Sequence, residues 1–509
     1  MRAAVGMKLF AFALIANLTA VSFAGADTIR LGASTPAVTR GHPYTTYIGG
    51  GVRSSVYDGL TQISQKGELQ PALAVTWEMV TPTRWLFRLR DGVRFSNGVL
   101  FNADTVVANI RFLTSDQAQR FGAAQELSNL ASARKIDSAT VEFETQQPDL
   151  IFPRRLSTIM MVEPRAWEAY GEDRFANEPV GTGPFRVVSW GPGASQIVLD
   201  SFAGSWRKSE AVTRVEITVI PDATTRFQAL VSGRIDLATN MDPDTIGPAE
   251  QAGLKILVHS RPIVLAIAFR TLNNPGSPLQ DVRVRQALNY AVNKGRIVEN
   301  LLRRTTQIAS QEATATVTGY NPSIVPFAHD PQKAVSLLRD AGFSQGMRLV
   351  FAVFSGQVSG DALIFQQVSQ DLRDVGVDVE LRILPFSEFT RRIASGDWDG
   401  IDGFSTVWSS ITLFDALPNL EKLTCRKPGW VFCAPDLAPS IDAARGAIDE
   451  SQRIAILQNL AAKVHDLAPS LLLVENADIV QMRNDIENYT IRSDGMLFNR
   501  MSLARSRDR

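Results

Sequence analysis

Cysteine is nearly absent: the 509-residue chain holds only Cys425 and Cys433, with four histidines scattered between His42 and His465. That supply cannot build a clustered zinc or iron–sulfur centre, and no C-x-x-C spacing marks a redox pair. A net charge of one sign is missing as well, since 52 Lys and Arg balance 52 Asp and Glu. Without a basic field, nucleic-acid binding and a polybasic membrane contact lose their driving force. No apolar run reaches the ~20 residues that a membrane-spanning helix needs. H-E-x-x-H, Walker A and G-x-G-x-x-G motifs are all lacking; Gly181-Thr182-Gly183-Pro184 comes nearest, and its proline suits a turn better than a phosphate cradle.

What is present reads as globular. With 45% hydrophobic and 20% charged residues, 35 Gly and 25 Pro, the composition is ordinary, and the length predicts about three domains or lobes. Arg2 and Lys8 precede an apolar run over residues 9–16, which continues past Asn17 and Thr19 to Ala24-Gly25-Ala26, a small-residue cleavage pattern before Asp27. Residues 1–26 are therefore expected to be a signal peptide. Their removal leaves 50 basic against 52 acidic residues, a net charge of −2. Because neither cysteine sits at the cleavage point, the product is expected to be periplasmic and not lipid-anchored. In an oxidising compartment Cys425 and Cys433, separated by a segment with turn residues Pro428 and Gly429, are expected to form a disulfide.

The patterning mixes strands and helices. Ile29-Arg30-Leu31-Gly32 reads as a strand, followed by a polar, Gly-rich loop through Gly51 that contains Tyr44. Trp85, Phe87 and Leu89 alternate with polar positions, and Asp91-Gly92 predicts a hairpin turning into Val93-Arg94-Phe95. Asn102 is placed to cap a helix bearing Val106, Ile110 and Leu113, and Asp281 one bearing Val284, Leu288, Ala291 and Val292 and ending near Lys294-Gly295. Asp330, Pro331 and Gly342 form a start-and-stop set around Leu337, Leu338 and Ala341. A strand over 347–354, a helix over 361–375 and a strand over 377–384 complete an αβαβ rhythm, which favours a sheet covered by helices.

Two segments raise chemistry. Gly342-Phe343-Ser344-Gln345-Gly346 matches the G-x-S-x-G nucleophile pattern, whose mechanism requires a strand entering the turn and a helix leaving it. Here a helix enters and a strand leaves, and His329 and His465 are candidate bases by composition only. A secreted serine hydrolase using Ser344 is thus the competing reading. Asp397, Asp399, Asp236, Asp242 and Asp244 read as solvated loop or cap residues. Phe404, Trp408, Phe414 and Trp430 lie among Ser405, Thr406, Ser409 and Ser410, the mixture of flat apolar area and small polar groups that pockets use; core packing is the plainer alternative.

Several stretches together resemble the family 5 extracellular solute-binding proteins, the peptide, nickel-chelate and opine receptors of bacterial ABC importers. They are Tyr57-Asp58-Gly59-Leu60, Leu69-Gln70-Pro71-Ala72-Leu73-Ala74 with Trp77, the run Phe87-Arg88-Leu89-Arg90-Asp91-Gly92-Val93-Arg94-Phe95-Ser96-Asn97-Gly98, residues 101–106, Val180-Gly181-Thr182-Gly183-Pro184-Phe185, residues 281–292 and residues 330–342. The resemblance implies an α/β fold of two lobes around a ligand cleft, with an extra subdomain in the first lobe. Residues 27–60, 184–275 and 479–509 would form the first lobe's core, 61–183 the subdomain and 276–478 the second lobe. Hinges would lie near 271–281 and 474–478. No enzyme activity and no cofactor or metal are implied. The partners would be a small-molecule or peptide ligand and the permease subunits of an importer, with no nucleic acid, and the protein would be a monomer.

The resemblance also places Trp408, Ser409, Ser410 and Ile411 on a cleft-lining loop, with Tyr44 and Phe404 as further ligand-binding candidates. Peptide-binding members carry an acid three positions after the loop tryptophan, to pair with the peptide ammonium; this chain has Ile411. Either Asp402 or Asp415 substitutes, or the ligand lacks a free ammonium, because an unpaired buried charge costs several kcal/mol. Opines and sugar conjugates then gain ground on oligopeptides.

Overall fold

A computed structural model describes residues 27–504 apart from 38, 46–50, 355–357, 359, 426–431 and 494. The expected signal peptide, residues 1–26, lies outside the described residues.

Ten strands form one continuous mixed sheet that runs through both lobes. Its middle is a pair of long antiparallel strands, Lys255–Phe269 and Ser470–Met482. At one end the pair is flanked by Leu237–Ala238, Asp27–Ala33, Val212–Val219, Gln196–Ser201 and Phe185–Trp190; at the other by Gly403–Ser409, Met347–Val353 and Val377–Ile383. Residues 255–261 pair with 476–482, and residues 264–268 with 470–475, with a register shift between Arg261 and Val264. Pro262 sits in that gap; lacking an N–H, it cannot continue the ladder.

The two faces of the second lobe's sheet follow the period of two that strand geometry imposes. Leu265, Ile267 and Phe269 pack with Leu279, Val284, Leu288 and Phe351 under the helices Val282–Ala291 and Asp361–Arg373. Val264 and Ala266 point the other way, with Trp408, Leu457 and Leu472, under the helix Glu450–Leu467. Because Leu265, Ile267 and Phe269 belong to the second lobe's core, the first crossing lies at residues 262–263, upstream of the expected 275/276 boundary and of the expected hinge at 271–281. The return crossing falls at 475/476, since Leu473 and Val474 pack in the second lobe and Val480 and Met482 in the first.

In the first lobe a separate four-stranded sheet, Ala74–Thr81, Arg84–Leu89, Thr140–Thr145 and Leu130–Asp137, stands under the helix Ala103–Leu113. Its Phe87 and Phe143 share one hydrophobic cluster with Ile29, Leu31 and Val215 of the large sheet. Trp85, Phe87 and Leu89 are buried as their alternation requires. Their partners, however, are Ala74–Thr81 and Thr140–Thr145. Gly92 does turn the chain, with φ 71°, but Phe95 and Val93 then bond to Val99 and Phe101 instead of forming the expected hairpin. The caps at Asn102, Asp281 and Asp330 each accept a backbone N–H, at 2.8–3.1 Å. The Asp281 helix ends at Ala291, short of Lys294, and Asn293 caps a separate turn, Lys294–Arg296.

The Gly181-Thr182-Gly183 stretch is a structural joint. A Cβ on Gly181 would meet Val56 O at 2.0 Å, and one on Gly183 would meet Ser55 O at 2.3 Å, so only glycine lets these backbones touch. Thr182 Oγ1 and Trp206 Nε1 donate to Asp58 Oδ2 at 2.8 and 3.0 Å, and Arg207 Nε donates to Asp58 Oδ1 at 2.7 Å.

Candidate functional site: the interlobe cleft

A cavity of about 850 Å³ opens between the lobes and adjoins a smaller one of about 240 Å³. Ser34 and Thr35 leave the end of strand Asp27–Ala33, and Pro221 and Asp222 lie just beyond its parallel neighbour Val212–Val219. This is the carboxyl edge where loops can diverge to admit a ligand. The second lobe contributes Asp361, Val407, Ser409, Ile411 and Thr412, and the crossing strands contribute Arg261, Ile263, Asn476 and Ala477. Beside the cavity, Arg154 Nη1 of the first lobe donates to Leu413 O of the second at 3.2 Å.

Of the residues expected here, Ser409 and Ile411 lie on the cavity wall. Trp408 does not: it is 1% exposed, packs with Val264 and Leu472, and donates from Nε1 to Ser470 Oγ at 3.2 Å. Strand alternation is the reason, because facing Ser409 into the cleft turns Trp408 into the core. Phe404, on the same side as Trp408, stacks on Trp398 at 4.2 Å with planes 6° apart. Ser410 is buried, its Oγ accepting from Asn419 Nδ2 at 3.1 Å. Tyr44 is sealed among Phe112, Phe121 and Trp167, with its hydroxyl donating to Asn109 Oδ1 at 2.8 Å. Burial pushes its phenol well above the usual range.

Neither acid offered as a substitute anchor reaches the ligand space. Asp402 accepts from Val350 N and Ser277 Oγ at 3.0 and 3.1 Å inside the second lobe. Asp415 forms a buried bidentate pair with Arg453. Asp236 is likewise engaged by Arg30 and Arg483, and Asp244 by Arg303. Three acids lie on the wall: Asp222 accepts from Thr225 N at 2.7 Å, Asp361 is buried, and Asp242 has a carboxyl that burial pushes up and Arg226 draws down, with no side-chain hydrogen bond among the described residues. Ser344 is exposed on the turn between Gly342 and Gly346, both at positive φ, away from either cavity. His465, its candidate base, stacks on Phe327 and has Nδ1 3.0 Å from Ser310 O.

The polar groups missed at the sequence level sit on the crossing strand. Lys255–Phe269 is largely apolar, yet His259-Ser260-Arg261 interrupts it immediately before Pro262. That interruption is the legible signal: polar residues in a central strand mark where the strand faces a cavity instead of a core. Nearby, Asn240 donates from Nδ2 to Ser34 Oγ at 2.8 Å and from its backbone N to Asp478 Oδ1 at 3.0 Å.

Comparison with known proteins agrees with this architecture. Residues 68–414 match the family described as bacterial extracellular solute-binding proteins, family 5 Middle. The chain is 25% identical to the dipeptide-binding protein of Escherichia coli K12 over 83% of its length and 84% of that protein's. It is 27% identical to the nickel-binding periplasmic protein of the same strain, over 82% of this chain and 83% of that one. Among solved structures, the substrate-binding protein CtaP of Listeria monocytogenes superposes with a TM-score of 0.83 at 17% identity, over 94% of this chain and 99% of that one. NikA from Brucella suis, in complex with Fe(III)-EDTA, superposes with a TM-score of 0.80 at 22% identity, over 94% and 100% of the two chains. With the matched region spanning most of the chain and two lobes meeting at a cleft, this protein belongs to the family 5 bacterial extracellular solute-binding proteins.

Proposed function

We propose that the protein is a periplasmic receptor that captures a small ligand, an oligopeptide, opine or sugar conjugate, between its lobes and delivers it to the permease of an ABC importer. The carrying observation is the cavity of about 850 Å³ bounded by both lobes, which among the described residues are joined by two strand crossings. Two crossings let the lobes pivot while each core stays intact. Closure then distinguishes the loaded from the empty receptor, so the work required is differential binding with no bond making. The relatives named for dipeptide and nickel binding support this reading, and the residues 1–26 leader pattern supports export. The protein acts as a monomer without a cofactor. Peptides stay within the class because Asp242 offers a carboxylate where Ile411 does not.

A thermal-shift screen across di- to pentapeptides, opines, sugar phosphates and metal chelates tests the proposal. A ligand at 100 times its dissociation constant adds roughly 2.7 kcal/mol of stability. A saturable rise in melting temperature with one class is expected; no response to any class, combined with labelling of Ser344 by an activated-serine probe, would overturn the receptor in favour of the hydrolase.

A further inference from the structure

Four arginines line the two cavities, and three of them are bound up in the protein itself; Arg492, in the smaller, donates to Gln62 Oε1 at 2.7 Å. Arg226, 1% exposed, donates to the carbonyls of Thr239, Ile220, Pro221 and Asn240 at 2.5–3.1 Å, which saturates its fork and fastens the ends of the first lobe's strands. Arg53 donates to Thr158 O. Arg261 is different. Among the described residues its guanidinium makes no hydrogen bond and has no carboxylate within 4.0 Å, although it lines both cavities.

Its surroundings explain why it stands unpaired. Asp478, the acid on the neighbouring strand, is taken by Asn240 N at 3.0 Å and faces His259 Nε2 at 3.5 Å. Tyr489 lines the smaller cavity beside Arg261, and its hydroxyl also makes no hydrogen bond among the described residues. Two donors therefore converge on one cavity whose own carboxylate, Asp478, is already engaged by Asn240 and His259. The half-buried Arg261 guanidinium presents a planar fork that matches a carboxylate or phosphate edge, and its pairing with such a group is a charge-assisted hydrogen bond of the strong kind.

We infer that the ligand carries an oxyanion, a carboxylate or a phosphate group, that docks on Arg261 with Tyr489 as a second donor. This rests on the receptor reading and narrows it to anionic ligands. Since Arg261 occupies the crossing itself, where the register shifts before Val264, the anion binds at the junction of the lobes and belongs to neither alone.

The test is a melting-temperature titration of the exported full chain with inorganic phosphate and with acetate, each against chloride at constant ionic strength. The wild type should be stabilised saturably by one or both, and the better anion separates a phosphate from a carboxylate ligand. Arg261→Gln should weaken that response at least about tenfold, the factor that corresponds to ~1.4 kcal/mol. Arg261→Lys, which keeps the charge and loses the fork, should fall between them, and Tyr489→Phe should weaken the response a few-fold. In chloride alone, Arg261→Gln should melt with the wild type, because it removes no contact. Equal responses of wild type and Arg261→Gln, or no stabilisation of the wild type by either anion, would overturn the inference. Failure of the receptor reading is separate: the phosphate or acetate response would still depend on Arg261, while the organic panel left the melting temperature unmoved.

Discussion

The indole Nε1 of Trp408 donates to Ser470 Oγ at 3.2 Å, spanning the strand that lies between theirs in the sheet. The bond fixes a large ring in the second lobe's core, so Trp408→Ala should act on folding. It should cost ~3–5 kcal/mol of stability, the usual range for removing a buried tryptophan. Denaturant unfolding of the unliganded protein measures this; a loss under about 1 kcal/mol, well below that range, would place the ring outside the core.

Asp415 and Arg453 are 0% and 3% exposed in their side chains and bond through both carboxylate oxygens, at 2.6 and 2.8 Å. Removing one partner leaves the other charge buried alone, at a cost of ~3–5 kcal/mol. Asp415→Asn and Arg453→Met should each be strongly destabilising, while the double variant should recover much of the loss. Additive losses in this double-mutant cycle would contradict a direct pair.

Two buried groups in the second lobe should give stability opposite slopes on either side of neutrality. Burial pushes the Glu312 carboxyl up from 4.5 to about 7, with Oε2 unpartnered among the described residues. Between those values the unfolded chain has lost a proton that the folded chain keeps, so stability falls as pH rises. Burial pulls the Lys294 ammonium down from 10.5 to about 7. Between 7 and 10.5 the unfolded chain holds the extra proton, so stability rises with pH. Chemical denaturation across this range should show Glu312→Gln flattening the falling limb and Lys294→Met the rising one; an unchanged pH profile in either variant would refute the assignment.

Cys425 and Cys433 are bridged. The loop closed is short, so reduction should lower stability by ~2–4 kcal/mol without unfolding both lobes. Thiol titration of unreduced protein should find no free cysteine, and two reactive thiols would be the contrary result.

Much of the fold was legible because local chemistry agreed with tertiary structure. Asn102, Asp281 and Asp330 cap helices where their side chains and the following apolar stripes required it. The family motifs around Asp58 and Gly181 were equally visible, and the structure supplies their purpose as a close backbone joint. The site was less legible. An aromatic among serines has the same sequence signature whether it faces a ligand or a core, and a one-residue phase in strand Gly403–Ser409 decided against Trp408. The crossing was misplaced because an apolar strand that passes between lobes carries no composition change at 262–263; only the polar break at His259-Ser260-Arg261 marked it. Acids such as Asp402 and Asp415 lie close in sequence to the cleft loop, but their partners come from distant parts of the chain, which spacing cannot reveal.

Native mass spectrometry of the protein exported in its own host, purified without denaturation, tests capture in the cleft most directly. The spectrum should show the folded chain carrying one small anionic molecule that leaves on collisional activation, and Arg261→Gln should carry much less of it. A bare chain mass at every activation energy, in wild type as in variant, would contradict a ligand-capturing receptor.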